Sequence, residues 1–163
     1  MENAFRPELW RDLYVMLGTT AGALIGLLFV ATSLHLDLIM NNPVFRLRAR
    51  NNTLHLLIML VQAGCILAPQ PMALLGAELV VVNLAGLWLP LSFTYSYFVR
   101  SKASRRTFPI TPFVTYTSCY LIGMAGAAAL IARASWGIYP ISASYLAVLV
   151  AVALNAWTIM LGL

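Results

Sequence analysis

The sequence predicts an all-α membrane protein, a bundle of five transmembrane helices forming a single domain over residues 1–163. Hydrophobic residues make up 61% of the chain and charged residues only 9%, whereas a soluble domain carries about 25% charged residues. Several apolar runs are long enough to cross a bilayer. No run alternates apolar and polar residues, which disfavours a β-barrel. We therefore expect one membrane-embedded unit rather than a soluble domain with an anchor.

Five apolar segments follow one another along the chain. Backbone groups cannot stay unpaired in lipid, so each segment is expected to be helical. The predicted helices cover residues 13–37, 53–68, 72–99, 113–132 and 141–163. The second is short for a span, and Asn51, Asn52 and Thr53 are expected to begin it, one of them as the N-cap. Pro90 removes a backbone donor inside the third helix and predicts a kink there.

Basic residues between the apolar segments predict the orientation. They cluster in residues 40–53 and 100–111, as Arg46, Arg48, Arg50, Arg100, Lys102, Arg105 and Arg106. Cytoplasmic loops are enriched in such residues, so both clusters should face the cytoplasm. Segments two and three must then both cross, with the N-terminus outside and the C-terminus cytoplasmic. The same loops are expected to contact anionic lipid headgroups, and the net charge of +5 is not taken to indicate nucleic-acid binding.

The first apolar segment carries a glycine at every fourth position: Gly18, Gly22 and Gly26. This spacing puts all three on one helix face, and Ser33 and Asp37 extend the stripe. Small residues four apart allow two helix backbones to approach closely in lipid. The stripe therefore predicts close packing of the first helix, either against another helix of this chain or against another subunit. Gly123 and Gly126 predict a second tight contact, on the fourth helix.

Two functional alternatives arise from polar residues in lipid. Thr19, Gly26 and Ser33 are spaced seven apart and would line a pore in a ring of subunits, although such hydroxyls more often bond carbonyls of their own helix. A pathway of this kind would also use Asp37 and Glu78. The simpler expectation for Glu78 is an ion pair, because a carboxylate in lipid must be paired, protonated or hydrated. Arg133 and Arg11 are the cations expected at its level.

The remaining polar residues predict structure rather than chemistry. His35, Asp37 and His55 lie near one end of the first two helices, but His35 and Asp37 point to different faces, so no metal site is predicted. Three amides, Gln62, Asn83 and Asn155, are expected to form hydrogen bonds between helices. No serine, histidine and carboxylate share a depth, and no phosphate-binding glycine loop is present. No catalytic residue and no cofactor is predicted.

Three stretches resemble a known group of proteins. They are the run from Gly22 to Val30 followed by Ser33 to Asp37, the run Leu75 to Leu79 containing Glu78, and the run Leu154 to Trp157. They are similar to a family of small uncharacterised bacterial membrane proteins with several spans, some of which are labelled modulators of the FtsH protease. The resemblance implies a bacterial inner-membrane location and no established enzyme activity.

The sequence thus favours a non-enzymatic integral membrane subunit. It would assemble through its glycine-striped first helix, with itself or with a larger membrane complex. The alternative is a homo-oligomeric ion channel or small transporter whose first helix lines the pathway.

Overall fold

The computed structural model describes residues 8–99 and 110–160, and over these ranges it is helical apart from short connections. The helices are α1 Glu8–Leu34, α2 Leu36–Asn41, α3 Pro43–Leu67, α4 Met72–Val99, α5 Ile110–Ile131 and α6 Ile138–Met160, with a 3₁₀ turn Ser135–Gly137 before α6. Four of them, α1, α4, α5 and α6, are long and apolar enough to cross a membrane. This is the pattern of a multi-pass membrane protein.

Helix α3 begins ten residues earlier than the sequence analysis expects, so the prediction that Asn51, Asn52 or Thr53 caps it is wrong. The N-cap is Asn42, whose side-chain oxygen accepts from the backbone N–H groups of Val44 and Phe45. Pro43 follows at the first helical position, where no backbone N–H is needed. The expected basic loop of residues 40–53 is therefore mostly helix. The second basic cluster, Arg100, Lys102, Arg105 and Arg106, lies outside the described residues.

Helix α1 also ends earlier than expected. It stops at Leu34, His35 forms a turn, and Asp37 lies in the short helix α2. The helix is therefore interrupted at His35, between Ser33 and Asp37. Asp37 does not continue the glycine stripe of α1, which ends with Ser33.

Helix α3 lies at the centre of the bundle, where it packs against α1, α4 and α6. Four of its uncharged polar side chains face this interior: Asn51, Asn52, His55 and Gln62 are all buried. A helix surrounded by other helices need not present an apolar surface to lipid. This explains why α3 is not among the helices that qualify as spans by apolar composition, although it is 25 residues long.

Helices α4, α5 and α6 approach one another closely at glycines. A Cβ added to Gly123 would lie 2.6 Å from the Asn83 side-chain oxygen, and one added to Gly126 would lie 2.6 Å from the Gly137 carbonyl oxygen. Both glycines are buried in α5. The contacts at these two positions thus join α5 to α4 and to the turn before α6, and larger side chains there would force the helices apart.

Helix α5 ends in a Schellman motif. The Arg133 N–H donates to the Leu130 carbonyl at 2.9 Å, and the Ala134 N–H donates to the Ala129 carbonyl at 2.9 Å. Arg133 occupies the left-handed position of this motif, with φ of 59°. Glycine is the residue that usually takes this position, because it has no Cβ to clash with the backbone.

Candidate functional site

A polar cluster lies buried between α3, α5 and α6. His55 of α3 is at its centre and is completely inaccessible to solvent. Its ring stacks on the Tyr116 ring of α5, with centroids 4.1 Å apart and planes inclined by 22°. Its two nitrogens contact Asn51 and Tyr120. Because Asn51 and His55 are four residues apart, they share one face of α3, which points both side chains into the bundle.

Hydrogen bonds fix the imidazole from both sides. Asn51 Nδ2 lies 3.0 Å from His55 Nε2, and His55 Nδ1 lies 2.7 Å from the Tyr120 hydroxyl. With the Asn51 amide as donor, Nε2 accepts and Nδ1 carries the proton that is donated to the Tyr120 oxygen. A neighbouring hydrogen bond connects α6 to α3 in the same region: Asn155 Nδ2 donates to Asn52 Oδ1 at 2.7 Å. The cluster thus links three helices through polar side chains.

The cluster also contains buried polar atoms that the described residues leave unsatisfied. The Tyr116 hydroxyl lies beside Asn155, yet neither it nor the Asn52 amide nitrogen has a partner with hydrogen-bond geometry. Tyr116 is only 2% exposed. An unsatisfied buried hydroxyl is uncommon in proteins and calls for an explanation, such as a ligand or water that the group binds.

A cavity of about 210 Å³ adjoins the cluster, and we call it the polar cavity. Its lining comes from the first turns of α3 and α5 and the later turns of α4 and α6: Arg48, Asn51, Pro90, Phe93, Pro112, Phe113, Tyr116 and Asn155. Arg48 is the one charged residue among them. The cavity therefore combines a cation, two amides and a tyrosine hydroxyl with an apolar and aromatic wall.

A second depression runs along the outside of α5 and α6 and is called here the α5–α6 groove. It has a volume of about 580 Å³ and is lined mainly by apolar residues: Thr111, Pro112, Thr115, Leu146, Ala147, Val150, Ala151, Leu154 and Asn155. Pro112 and Asn155 line both the groove and the polar cavity. The two spaces therefore adjoin at these two residues, one with polar groups in its lining and the other mainly apolar.

The expected ion pair of Glu78 with Arg133 or Arg11 is not formed. The Glu78 carboxylate instead accepts a hydrogen bond of 2.8 Å from Gln70 Nε2. The same Gln70 nitrogen donates to the Cys65 carbonyl at 2.8 Å. Gln70, in the connection between α3 and α4, satisfies the carboxylate locally, so no distant arginine is needed.

The other predicted polar sites are dispersed in the structure. His35 is exposed at the turn after α1, whereas His55 is fully buried in α3, and no group of three metal-ligating side chains occurs within residues 8–99 and 110–160. Asp37 is exposed on α2. Thr19 and Ser33 face outward, and their hydroxyls donate to the carbonyls of Val15 and Phe29 on their own helix.

The three glycines of α1 do not share one contact. A Cβ added to Gly18 would lie 3.1 Å from the Ala63 Cβ, so this glycine allows α1 to pack closely on α3. Apart from the backbone of α1 itself and the neighbouring residues along the chain, a Cβ added to Gly22 or Gly26 would have no atom of the described residues within 4 Å. Both are exposed, as are Thr19 and Ser33. We call these four residues the outward face of α1.

Sequence reasoning missed the polar cavity because it assigned the cavity residues to other roles. Asn51 was expected to begin a helix and Arg48 to lie in a loop, and Tyr116 is given no role in the sequence analysis. One signal was detectable in the sequence. Asn51 and His55 are four residues apart and Asn52 follows Asn51, so all three polar side chains lie on one side of a helix. Of the three predicted amides, Asn155 forms the bond to Asn52, whereas Asn83 donates to the Leu79 carbonyl of its own helix.

Comparisons with known proteins assign no family: no family model, no curated protein and no solved structure matches the chain.

Proposed function

We propose that this protein is a non-enzymatic integral membrane subunit that assembles through the outward face of α1, with a second copy of itself or within a larger membrane complex. The observation that carries the proposal is the open space at Gly22 and Gly26. Gly18 is already used for packing within the chain. The next two glycines of the series have no packing role against the part of the chain that the structure describes, and they form a shallow, backbone-lined surface on a membrane helix.

Such a surface is suited to contact with another helix. In lipid, association between helices depends on van der Waals packing, and small residues four apart allow the backbones to approach. Gly22 and Gly26 lie on one face, flanked by Thr19 and Ser33, whose hydroxyls are bonded to their own helix. A neighbouring helix would therefore meet a surface that offers close contact without unpaired polar groups.

The same bonds favour assembly over a pore. Serine and threonine on helices in lipid commonly bond carbonyls of their own helix, and both hydroxyls do so here, which gives each a structural role. Their oxygens keep lone pairs that a cation can contact, so channel activity stays the second proposal.

The proposed topology has five crossings, with the N-terminus outside and the C-terminus in the cytoplasm of a bacterium. Helix α3 is the crossing that depends most on its surroundings. Its 25 residues extend about 37 Å, which exceeds the ~30 Å hydrocarbon core. Its first two turns carry Arg46, Arg48 and Arg50. In the proposed orientation these arginines contact anionic headgroups of the cytoplasmic leaflet.

Oligomeric state tests the assembly. The purified chain in detergent should sediment as an oligomer or co-purify with a larger membrane complex. Gly22→Leu and Gly26→Leu should reduce it to a monomer, because a leucine there fits the single chain but blocks close approach of a neighbour. Gly64→Leu is the matched control, since Gly64 is an exposed glycine of α3 with equally open space. Equal particle size for the native chain and all three variants would contradict the proposal.

A further inference from the structure

The polar cavity and the α5–α6 groove lie together at one end of the bundle. Tyr116 is in the second turn of α5, Arg48 is in the second turn of α3, and Asn155 is near the end of α6. This end is where α3 and α5 begin and where α4 and α6 end. A molecule occupying both spaces would have its polar part near the membrane surface and its apolar part along the bundle wall.

We propose that these two spaces bind one anionic phospholipid, with its phosphate headgroup in the polar cavity and an acyl chain in the α5–α6 groove. The site does not include α1, so the proposal is independent of how the protein assembles.

The charge of the cavity indicates an anionic headgroup. Arg48 is the one charged residue among the described residues that line it, so none of these residues offers a carboxylate to compete for the guanidinium. Arginine donates two parallel hydrogen bonds to phosphate oxygens, which is a geometry that lysine cannot reproduce. A phosphate oxygen facing Arg48 would thus meet the group best suited to bind it.

Tyr116 supplies the second donor. Its side chain is buried, lines the cavity, and has a hydroxyl without a hydrogen-bond partner among the described residues. The Asn51 and Asn155 amide nitrogens are already engaged by His55 and Asn52. A headgroup oxygen would satisfy the Tyr116 hydroxyl without breaking any of these bonds. The stacked His55 ring keeps the Tyr116 ring in place for this contact.

The groove indicates a lipid rather than a small soluble anion. Leu146, Val150 and Leu154 line it from α6 and are exposed on the bundle surface. Its volume of about 580 Å³ lies within the ~300–1,000 Å³ typical of ligand sites. Ala147 and Ala151 leave the space between the two helices that a chain would occupy. Free phosphate or glycerol phosphate would use none of this surface.

Native mass spectrometry of the purified full chain in detergent tests the proposal. The probes are dioleoyl phosphatidylglycerol, dioleoyl phosphatidylcholine and glycerol phosphate. We expect one phosphatidylglycerol to be retained about tenfold more tightly than phosphatidylcholine of the same chains, and glycerol phosphate not to be retained. Equal retention of the two lipids would overturn the anionic site. Retention of glycerol phosphate as tight as that of the lipid would overturn the role of the groove.

Two pairs of variants locate the site. Arg48→Gln should weaken phosphatidylglycerol binding about tenfold, the usual order for losing a charge-assisted contact. Arg50→Gln, an exposed arginine of the same helix outside the cavity, should leave it within twofold. Ala147→Leu should weaken binding by filling the groove, whereas Ala143→Leu, one turn away on α6 and outside the groove lining, should not. Equal losses within either pair would show general lipid adhesion and overturn the proposal.

Tyr116→Phe keeps the test informative if a charge change disturbs the fold. It removes a hydroxyl that has no hydrogen-bond partner among the described residues, so the helical bundle should be retained. We expect phosphatidylglycerol binding to fall about threefold to tenfold. Unchanged phosphatidylglycerol binding in Tyr116→Phe would contradict the placement of the headgroup in the polar cavity.

Discussion

The Nδ1 atom of His55 lies 2.7 Å from the hydroxyl of Tyr120, and this contact connects α3 to α5 across the centre of the bundle. Both side chains are buried, His55 completely and Tyr120 to 2% exposure. The bond therefore forms where neither group has access to water. It also holds the imidazole that stacks on Tyr116 and bonds Asn51, so it positions two residues of the polar cavity.

Tyr120→Phe should destabilise the bundle. The substitution leaves the His55 ring nitrogen without its partner in a buried site, which costs about 1 kcal/mol within a membrane bundle. The measurement is the free energy of unfolding in mixed micelles titrated with a denaturing detergent. Tyr116→Phe is the matched control on the same helix, because the Tyr116 hydroxyl has no partner among the described residues to lose. Equal destabilisation by the two substitutions would contradict the assigned hydrogen bond.

The general class of the fold could be predicted because the amino-acid composition indicates directly whether the chain lies in water or in lipid. A chain with 9% charged residues and repeated apolar runs cannot stay in water, and backbone pairing in lipid then requires helices. Four helices indeed have the length and apolar composition of membrane spans. These conclusions depend on sums over many residues and not on any single contact.

The start of α3 could have been predicted but was missed. Asn42 followed by Pro43 is a typical helix start, with a capping side chain and then a residue that lacks the N–H. The three arginines that follow lie between apolar segments, a pattern that favours a loop. Charge pattern indicates which side of a membrane a segment occupies, but it does not exclude helix, and here the local capping signal was the better guide.

The polar cavity could not be predicted from the sequence, because it depends on pairings between distant residues. His55 and Tyr120 are 65 positions apart, and Asn52 and Asn155 are 103 positions apart. Spacing along one helix gives the face that a residue occupies but not the helix it meets. Glu78 is a different case, because its partner Gln70 is only eight positions away. A cation is the partner that the charge of a carboxylate favours, and charge alone does not indicate an amide from the connection between α3 and α4.

Gly86→Ala should destabilise the protein although alanine is the better helix former. The Tyr120 ring lies directly over Gly86, and an added Cβ would overlap its atoms. Overpacking of this kind costs about 1–3 kcal/mol and would displace the ring from His55. Gly64→Ala is the control, because the space at Gly64 is open and only the helix preference of about 1 kcal/mol should act, in the stabilising direction. The unfolding titration should therefore give opposite signs, and the same sign for both would contradict the packing.

Arg133→Gly should stabilise the end of α5. Arg133 is in the left-handed region, with φ of 59°, which costs a residue with a Cβ roughly 1–2 kcal/mol. Glycine removes this cost and retains the backbone bonds of the Schellman motif, so we expect a gain of about 1 kcal/mol in the free energy of unfolding. Arg133→Ala removes the same charge but keeps the Cβ, and it should give no such gain. An equal gain in both variants would assign the effect to the charge.

The last prediction concerns α3, the helix whose crossing the topology requires. Asn41, the last residue of α2, and Ala68, the C-cap of α3, are exposed and flank the two ends of α3. If α3 crosses, a cysteine at one of these positions reacts with a membrane-impermeant maleimide from outside intact cells, and a cysteine at the other reacts only after the membrane is opened. The proposed orientation places Ala68→Cys outside and Asn41→Cys inside. Cys65 and Cys119, which are both free thiols, are replaced by alanine beforehand so that only the new cysteine reacts.

Labelling of both cysteines from the same side would mean that α3 re-enters the surface it started from. The basic residues in the first turns of α3 and those that follow α4 in the sequence would then lie on opposite sides of the membrane, contrary to the charge pattern. Labelling of Asn41→Cys from outside, with Ala68→Cys labelled only after the membrane is opened, would confirm that α3 crosses but would show the opposite orientation. The polar residues on α3 make the expected result physically consistent, because Asn51, Asn52, His55 and Gln62 are buried against other helices and not exposed to lipid. A central helix can therefore span the bilayer with a composition that would be unfavourable for a helix surrounded by acyl chains.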